Sequence, residues 1–109
     1  MRDNIPEIII SKGETPVTRI LDDTEFKKAL EEKLQEEYEE VISSDANDRC
    51  EELSDMLEVI NALAILENKT FDDIINLADA KRSERGGFNN RIFLEKVIEK
   101  SDDRNCSLE

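Results

Sequence analysis

Glu36-Glu37-Tyr38-Glu39-Glu40, a polar break from Ser43 to Asp48, and then Glu51-Glu52-Leu53-Ser54-Asp55 form the stretch on which the reading of this sequence turns. Read as two helices joined by a turn, it carries two carboxylate pairs, Glu37/Glu40 and Glu52/Asp55, each three residues apart. Residues so spaced share one side of a helix, with Cβ atoms about 5–6 Å apart. The apolar pattern around them separates these pairs from an ordinary acidic run. Leu30, Leu34, Glu37 and Val41 form one stripe, and Glu52, Met56, Val59 and Leu63 form another. In each stripe a carboxylate takes the place of an expected core leucine. A buried carboxylate is costly unless it is paired, protonated or bound to a metal. The chain has no histidine and few basic residues nearby, so the pattern predicts a magnesium-binding acidic cluster between helices.

Outward from this stretch the period stays helical. Phe26, Leu30, Leu34, Val41 and Ile42 recur at three- and four-residue intervals. Asp22 followed by Glu25 gives a capping-box pattern at the start of that helix. Ser43, Ser44, Asp45, Asn47 and Asp48 favour turns and end it. The next helix is predicted from Asp45–Asp48 to about Glu67. Its apolar residues (Leu53, Met56, Leu57, Val59, Ile60 and 63–66) cover more than the roughly 100° stripe a surface helix needs. A small chain cannot cover such a helix alone, so a homo-oligomer, dimer or tetramer, is expected. Asn68-Lys69 reads as a turn and Thr70/Asp73 as a second capping box, opening a helix that ends at Arg85 before Gly86-Gly87. Upstream, Pro6 suits the first turn of a brief helix that Gly13 ends. Arg91 to Lys100 is predicted as a last short helix, with Ile92-Phe93-Leu94 as an alternative edge strand. The predicted fold is all-α, one domain over residues 1–100, with 101–109 a flexible tail in which Leu108-Glu109 reads as tag-derived.

Composition narrows the function. In 109 residues, 28 acidic against 15 basic side chains leave a formal charge of −13. That charge repels phosphodiester backbones and anionic membranes, which argues against polymeric nucleic acid and membrane partners. A small phosphorylated ligand stays compatible, because divalent cations bridge carboxylates to phosphates. Cys50 and Cys106 have no zinc or CxxC spacing, and a reduced, cytoplasmic protein is the simpler expectation. The opening residues show no signal-peptide pattern, and the apolar run Ala62–Leu66 is too short to span a bilayer.

Helices joined by a short connection are expected to lie antiparallel, which brings Glu37/Glu40 toward Glu52/Asp55. Four oxygen donors from two helices suit magnesium, which takes oxygens at about 2.0–2.1 Å and keeps waters that substrate phosphate replaces. They could hold one ion or two; ions about 3.5–4 Å apart would activate water and steady a phosphate oxygen.

The acidic residues match in order the EExxE…ExxD signature of the MazG-like all-alpha nucleoside triphosphate pyrophosphohydrolases, through Glu36-Glu37-Tyr38-Glu39-Glu40 and Glu52-Leu53-Ser54-Asp55. Arg2-Asp3-Asn4-Ile5-Pro6-Glu7-Ile8-Ile9 and Lys81-Arg82-Ser83-Glu84-Arg85-Gly86-Gly87-Phe88 resemble the small one-domain members termed phosphoribosyl-ATP pyrophosphohydrolase-like. The resemblance runs from Arg2 to about Lys96. It implies a MazG-like helical bundle completed by homo-oligomerisation. The implied activity is magnesium-dependent hydrolysis between the α and β phosphates of a nucleotide, giving monophosphate and pyrophosphate, with manganese as a possible substitute ion. It implies Glu37, Glu40, Glu52 and Asp55 as catalytic metal ligands, with Glu36 in a supporting role. Lys81, Arg82 and Arg85, then Arg2, Lys12 and Arg19, become candidates to contact the triphosphate, and Asn61 a candidate ligand contact. Asn4 stands where such proteins usually carry a basic residue, and Ser54 where alanine is common; neither removes an implied ligand. A house-cleaning role on non-canonical or surplus nucleotides is the expectation. True phosphoribosyl-ATP pyrophosphohydrolase activity and a non-catalytic helical interaction module are the alternatives.

Overall fold

Two capping boxes, predicted from sequence, set where the long helices begin. The computed structural model describes residues 2–100; Met1 and 101–109, with the expected tail and Leu108-Glu109, lie outside the described residues. The described residues form four helices and no strand: α1 (Ile5–Ser11), α2 (Asp23–Ser43), α3 (Arg49–Leu66) and α4 (Phe71–Arg85). At the head of α2 the Glu25 backbone N–H donates to Asp22 Oδ1 at 2.8 Å and the Asp22 N–H donates to Glu25 at 3.4 Å, so both halves of the box close. At the head of α4 the Thr70 N–H donates to Asp73 at 2.8 Å, and the Asp73 N–H donates to the Thr70 hydroxyl at 3.1 Å. Each arrangement satisfies donors that a helix start leaves unpaired. The Glu25 and Asp73 carboxyls also lie below their ordinary range, held there chiefly by the Arg19 hydrogen bond for Glu25, with the cap bond second, and by the Thr70 N–H for Asp73.

The chain falls into two units, Met1–Ile74 and Ile75–Glu109. In the first, α2 packs on α3. Residues 44–48 join them, and Asp45 Oδ1 accepts from the Asn47 and Asp48 N–H groups to turn the chain. Asp23, Thr24 and Lys27 at the start of α2 share a cleft with Ile65 and Leu66 at the end of α3, so the two helices run antiparallel. Leu30 (5% exposed), Val59 (7%) and Ala64 (5%) are the buried apolar residues of this pairing. Leu34, Val41, Met56, Ile60 and Leu63 are half-buried. Gly13, with φ +86°, follows α1, where a left-handed residue turns the chain at little cost.

In the second unit α4 continues to Arg85, and Gly86 at φ +85° provides the left-handed exit its position predicts. The expected last helix or edge strand over 91–100 is not formed. Arg91 is itself left-handed (φ 59°), and Ile92 and Phe93 are 83% and 84% exposed. A ten-residue helix is marginal in water unless an apolar face is packed, and here no face is covered. No helix among the described residues is long and apolar enough to cross a membrane.

Candidate metal centre

Glu37 sits on the α2 stripe that faces α3, one turn from Val41 and two from Leu30, so its burial follows from helical periodicity. It is 3% exposed, the one charged residue among the described residues buried in this way. From α3, Glu52 and Asp55 meet it; one carboxylate oxygen of each of the three lies within 4.8 Å of the other two. Glu52 and Asp55 are half-buried, which leaves the cluster dry on the Glu37 side and open on the other.

Two cations lean on the cluster. Lys33, one turn before Glu37, places Nζ 3.1 Å from Glu37 Oε2 and 3.6 Å from Glu36 Oε1. Its hydrogen bond to Glu37 raises the ammonium above its ordinary range, against the opposing effect of partial burial. Arg2 donates from Nη2 to Asp55 Oδ1 at 2.7 Å. The second oxygen of Glu37, Oε1, is buried and has no hydrogen-bond partner. A buried acceptor left unsatisfied costs about 1–3 kcal/mol, more when charged. That oxygen therefore keeps its capacity to accept a donor or bind a cation. The residues fit an oxygen-preferring divalent ion: all three donors are carboxylates, and no nitrogen or sulfur ligand accompanies them.

Glu40 stays outside this mutual set. It lies one turn beyond Glu37 and is exposed, yet it meets Glu52 across the helix pair. The side-chain hydrogen bond between them is the largest cause that raises the Glu52 carboxyl; desolvation and the charges of Glu40, Asp55 and Glu37 act the same way. Glu36 is exposed and points to Lys33, the peripheral position its place on the helix predicts.

The predicted basic contacts divide between the units. In the first, Arg2 reaches the cluster, whereas Arg19 is held by Glu25 at 3.1 and 3.2 Å, and Lys12 caps the end of α1 on the surface. Asn61 is half-buried on α3, outside the cluster. In the second, Lys81, Arg82 and Arg85 are exposed on the last turns of α4, where cations complement the helix dipole. Arg82 pairs with Asp79 at 2.7 Å. Sequence reasoning missed Lys33, although a lysine four residues before a core-facing glutamate is an available signal.

Beside the cluster, a cleft of about 190 Å³ opens between α2 and α3. Phe26, Leu30, Val59 and Ala62 contribute apolar walls, and Arg2, Asp3, Lys33 and Glu58 contribute its charged groups.

No family profile matches the chain. No solved structure matches it. Over 48 residues it is 48% identical to an uncharacterized protein of Mycolicibacterium smegmatis, a match covering 44% of this chain and 49% of that protein. The chain thus spans about half the length of the curated relative it matches.

Proposed function

We propose that this chain is a magnesium-dependent pyrophosphohydrolase of nucleotides, cleaving between the α and β phosphates to release monophosphate and pyrophosphate. One observation carries the reading: Glu37 is buried with an unpartnered oxygen and converges with Glu52 and Asp55. The order of acidic residues and the two flanking motifs support the same reading by resemblance. Glu37, Glu52 and Asp55 would hold the ion, with Glu40 reaching it through Glu52 or completing a second position. When bound, a divalent ion supplies positive charge beside a phosphorus ringed by anionic oxygens and lowers the pKa of bound water. The chain's own residues do the rest. Glu37 anchors the site from the core, Glu52 and Asp55 face the open side, and Glu40 stands beside Glu52, whose carboxyl it raises. The role proposed is clearance of non-canonical or surplus nucleotides; phosphoribosyl-ATP is the competing substrate within the same chemistry.

The reading is tested with a panel of nucleoside and deoxynucleoside triphosphates and phosphoribosyl-ATP in Mg²⁺ or Mn²⁺, scored for pyrophosphate against orthophosphate. At least one should yield pyrophosphate, and Asp55→Asn should lower that rate by about 100-fold or more, since even residues behind metal ligands typically contribute 10–100-fold. Pyrophosphate from none of them, or an undiminished Asp55→Asn rate, sinks the proposal.

The assembly proposed is a homo-oligomer. Leu53, Leu57 and Ile65 on α3, with Tyr38 and Ile42 on α2, are exposed, and only three apolar residues among those described are buried. Sedimentation equilibrium should report a mass of two or four chains; a monomer at micromolar concentration counts against this assembly.

A further inference from the structure

Two cations and three carboxylates at the cluster are matched in a way that ion binding alone does not require. The carboxylates of Glu37, Glu52 and Asp55 converge, one oxygen of each within 4.8 Å of the other two. Lys33 and Arg2 return two positive charges to two of them, at 3.1 and 2.7 Å. A single divalent ion delivers the same two charges, from a centre that approaches oxygen to about 2.0–2.1 Å, closer than either side chain. Ion and side chains therefore compete for Glu37 and Asp55. Neither side chain is locked in place: Arg2 is exposed, Lys33 is half-buried, and both stems flank the 190 Å³ cleft.

We propose that Arg2 and Lys33 are resident counterions of the carboxylate cluster, which a divalent ion displaces toward the adjacent cleft, where they bind the anionic groups of the ligand. This rests on the metal-dependent reading above. It adds an order of events: with a divalent ion held by Glu37 and Asp55, Arg2 and Lys33 would lose their carboxylate partners while still lining the cleft. Without the ion, Arg2 and Lys33 are paired with Asp55 and Glu37. With Asp55 and Glu37 taken up as ligands, a guanidinium and an ammonium would be free to donate. Guanidinium suits two phosphate oxygens at once and ammonium acts as a point charge. The cleft is smaller than the roughly 300–1,000 Å³ of a site for a drug-sized molecule. It fits part of a nucleotide, with Phe26, Leu30, Val59 and Ala62 as apolar walls.

Calorimetric titration tests this on the intact chain, using Mn²⁺ alone and then inorganic pyrophosphate on the Mn²⁺-loaded protein. Arg2→Met and Lys33→Met each remove a competitor of the ion while keeping much of the apolar stem. Each should bind Mn²⁺ alone about two- to five-fold more tightly, the scale of one partly exposed ion pair. Each should bind pyrophosphate about tenfold or more weakly, as expected for a lost hydrogen bond from a charged donor. Opposite signs in the two titrations are the signature, and a merely destabilised fold would weaken both. Unchanged or weaker Mn²⁺ binding in both variants overturns the counterion role. Unchanged pyrophosphate binding overturns the recruitment. Absence of Mn²⁺ binding by the wild type would instead sink the metal reading itself.

Discussion

Glu37→Leu is expected to fold, to melt higher than the wild type in the absence of divalent ions, and to lose metal-dependent activity. The position belongs to the stripe of Leu30, Leu34 and Val41, is 3% exposed, and carries an oxygen with no partner. Leucine has nearly the shape of glutamate without its charge. Full burial of such a side chain contributes about 1.5–3 kcal/mol, and the desolvation cost of the unpartnered oxygen disappears as well. Against this stands the lost pairing with Lys33. That ammonium is half-buried and keeps Glu36 within 3.6 Å, so its loss costs about 0–1 kcal/mol. Replacing buried ion pairs by apolar residues has stabilised other proteins by about 1–4 kcal/mol. In a domain this size each kcal/mol moves the melting temperature by about 4–8 °C. Calorimetry of both proteins in a chelator, followed by Mn²⁺ titration, gives the two halves of the result. A lower melting temperature would mean that Glu37 holds the helix pair together by its polar contacts. Wild-type activity in the variant would remove it from the metal site.

Such a trade of stability for a charged core position is the kind of local inconsistency that sequence makes legible. The break in each apolar stripe points to Glu37, which is buried, and to Glu52, which is only half-buried, because period and burial are tied along a helix. The caps at Asp22/Glu25 and Thr70/Asp73 are equally local, and both form as their spacing predicts. The break after Ser43 and the helix ends before Gly13 and Gly86 follow from the sequence too. What escaped depends on distance through space. Spacing puts Glu37 and Glu40 on one side of α2, yet only Glu37 faces inward far enough to join Glu52 and Asp55, since successive turns rotate the second carboxylate toward solvent. The Arg2 contact joins residues 53 apart in sequence and follows from no local rule. Residues 91–100 failed for the opposite reason: their apolar content resembles a helix, but no covering surface meets them among the described residues.

Magnesium is expected to stabilise the folded chain strongly at neutral pH and progressively less in acid. An ion that binds only the folded state adds about 2.7 kcal/mol at one hundred times its dissociation constant, or about 10–20 °C in a domain of this size. Protons compete for the same oxygens, and Glu52 sets where. Its carboxyl is raised from an ordinary 4.5, chiefly by its hydrogen bond with Glu40, and so keeps its proton to higher pH. The folded metal-free chain therefore holds that proton more tightly than the unfolded chain does. Glu52 consequently favours the metal-free fold as pH falls through its raised value toward 4.5, and disfavours it above that window. Glu25 and Asp73 have the opposite sign: their lowered values give stability that is present above the ordinary carboxylate range and lost as pH falls through them. Those two caps lie away from the cluster and contribute equally with and without the ion. The difference in melting temperature between Mg²⁺ and ionic-strength-matched NaCl thus cancels the caps, and it should shrink from pH 7.5 toward pH 4.5. Asp55→Asn should remove most of it at every pH. A chain with a formal charge of −13 attracts divalent ions nonspecifically, so the variant is the decisive comparison. An Mg²⁺ increment that survives in Asp55→Asn would belong to the general acidity of the surface and not to this site.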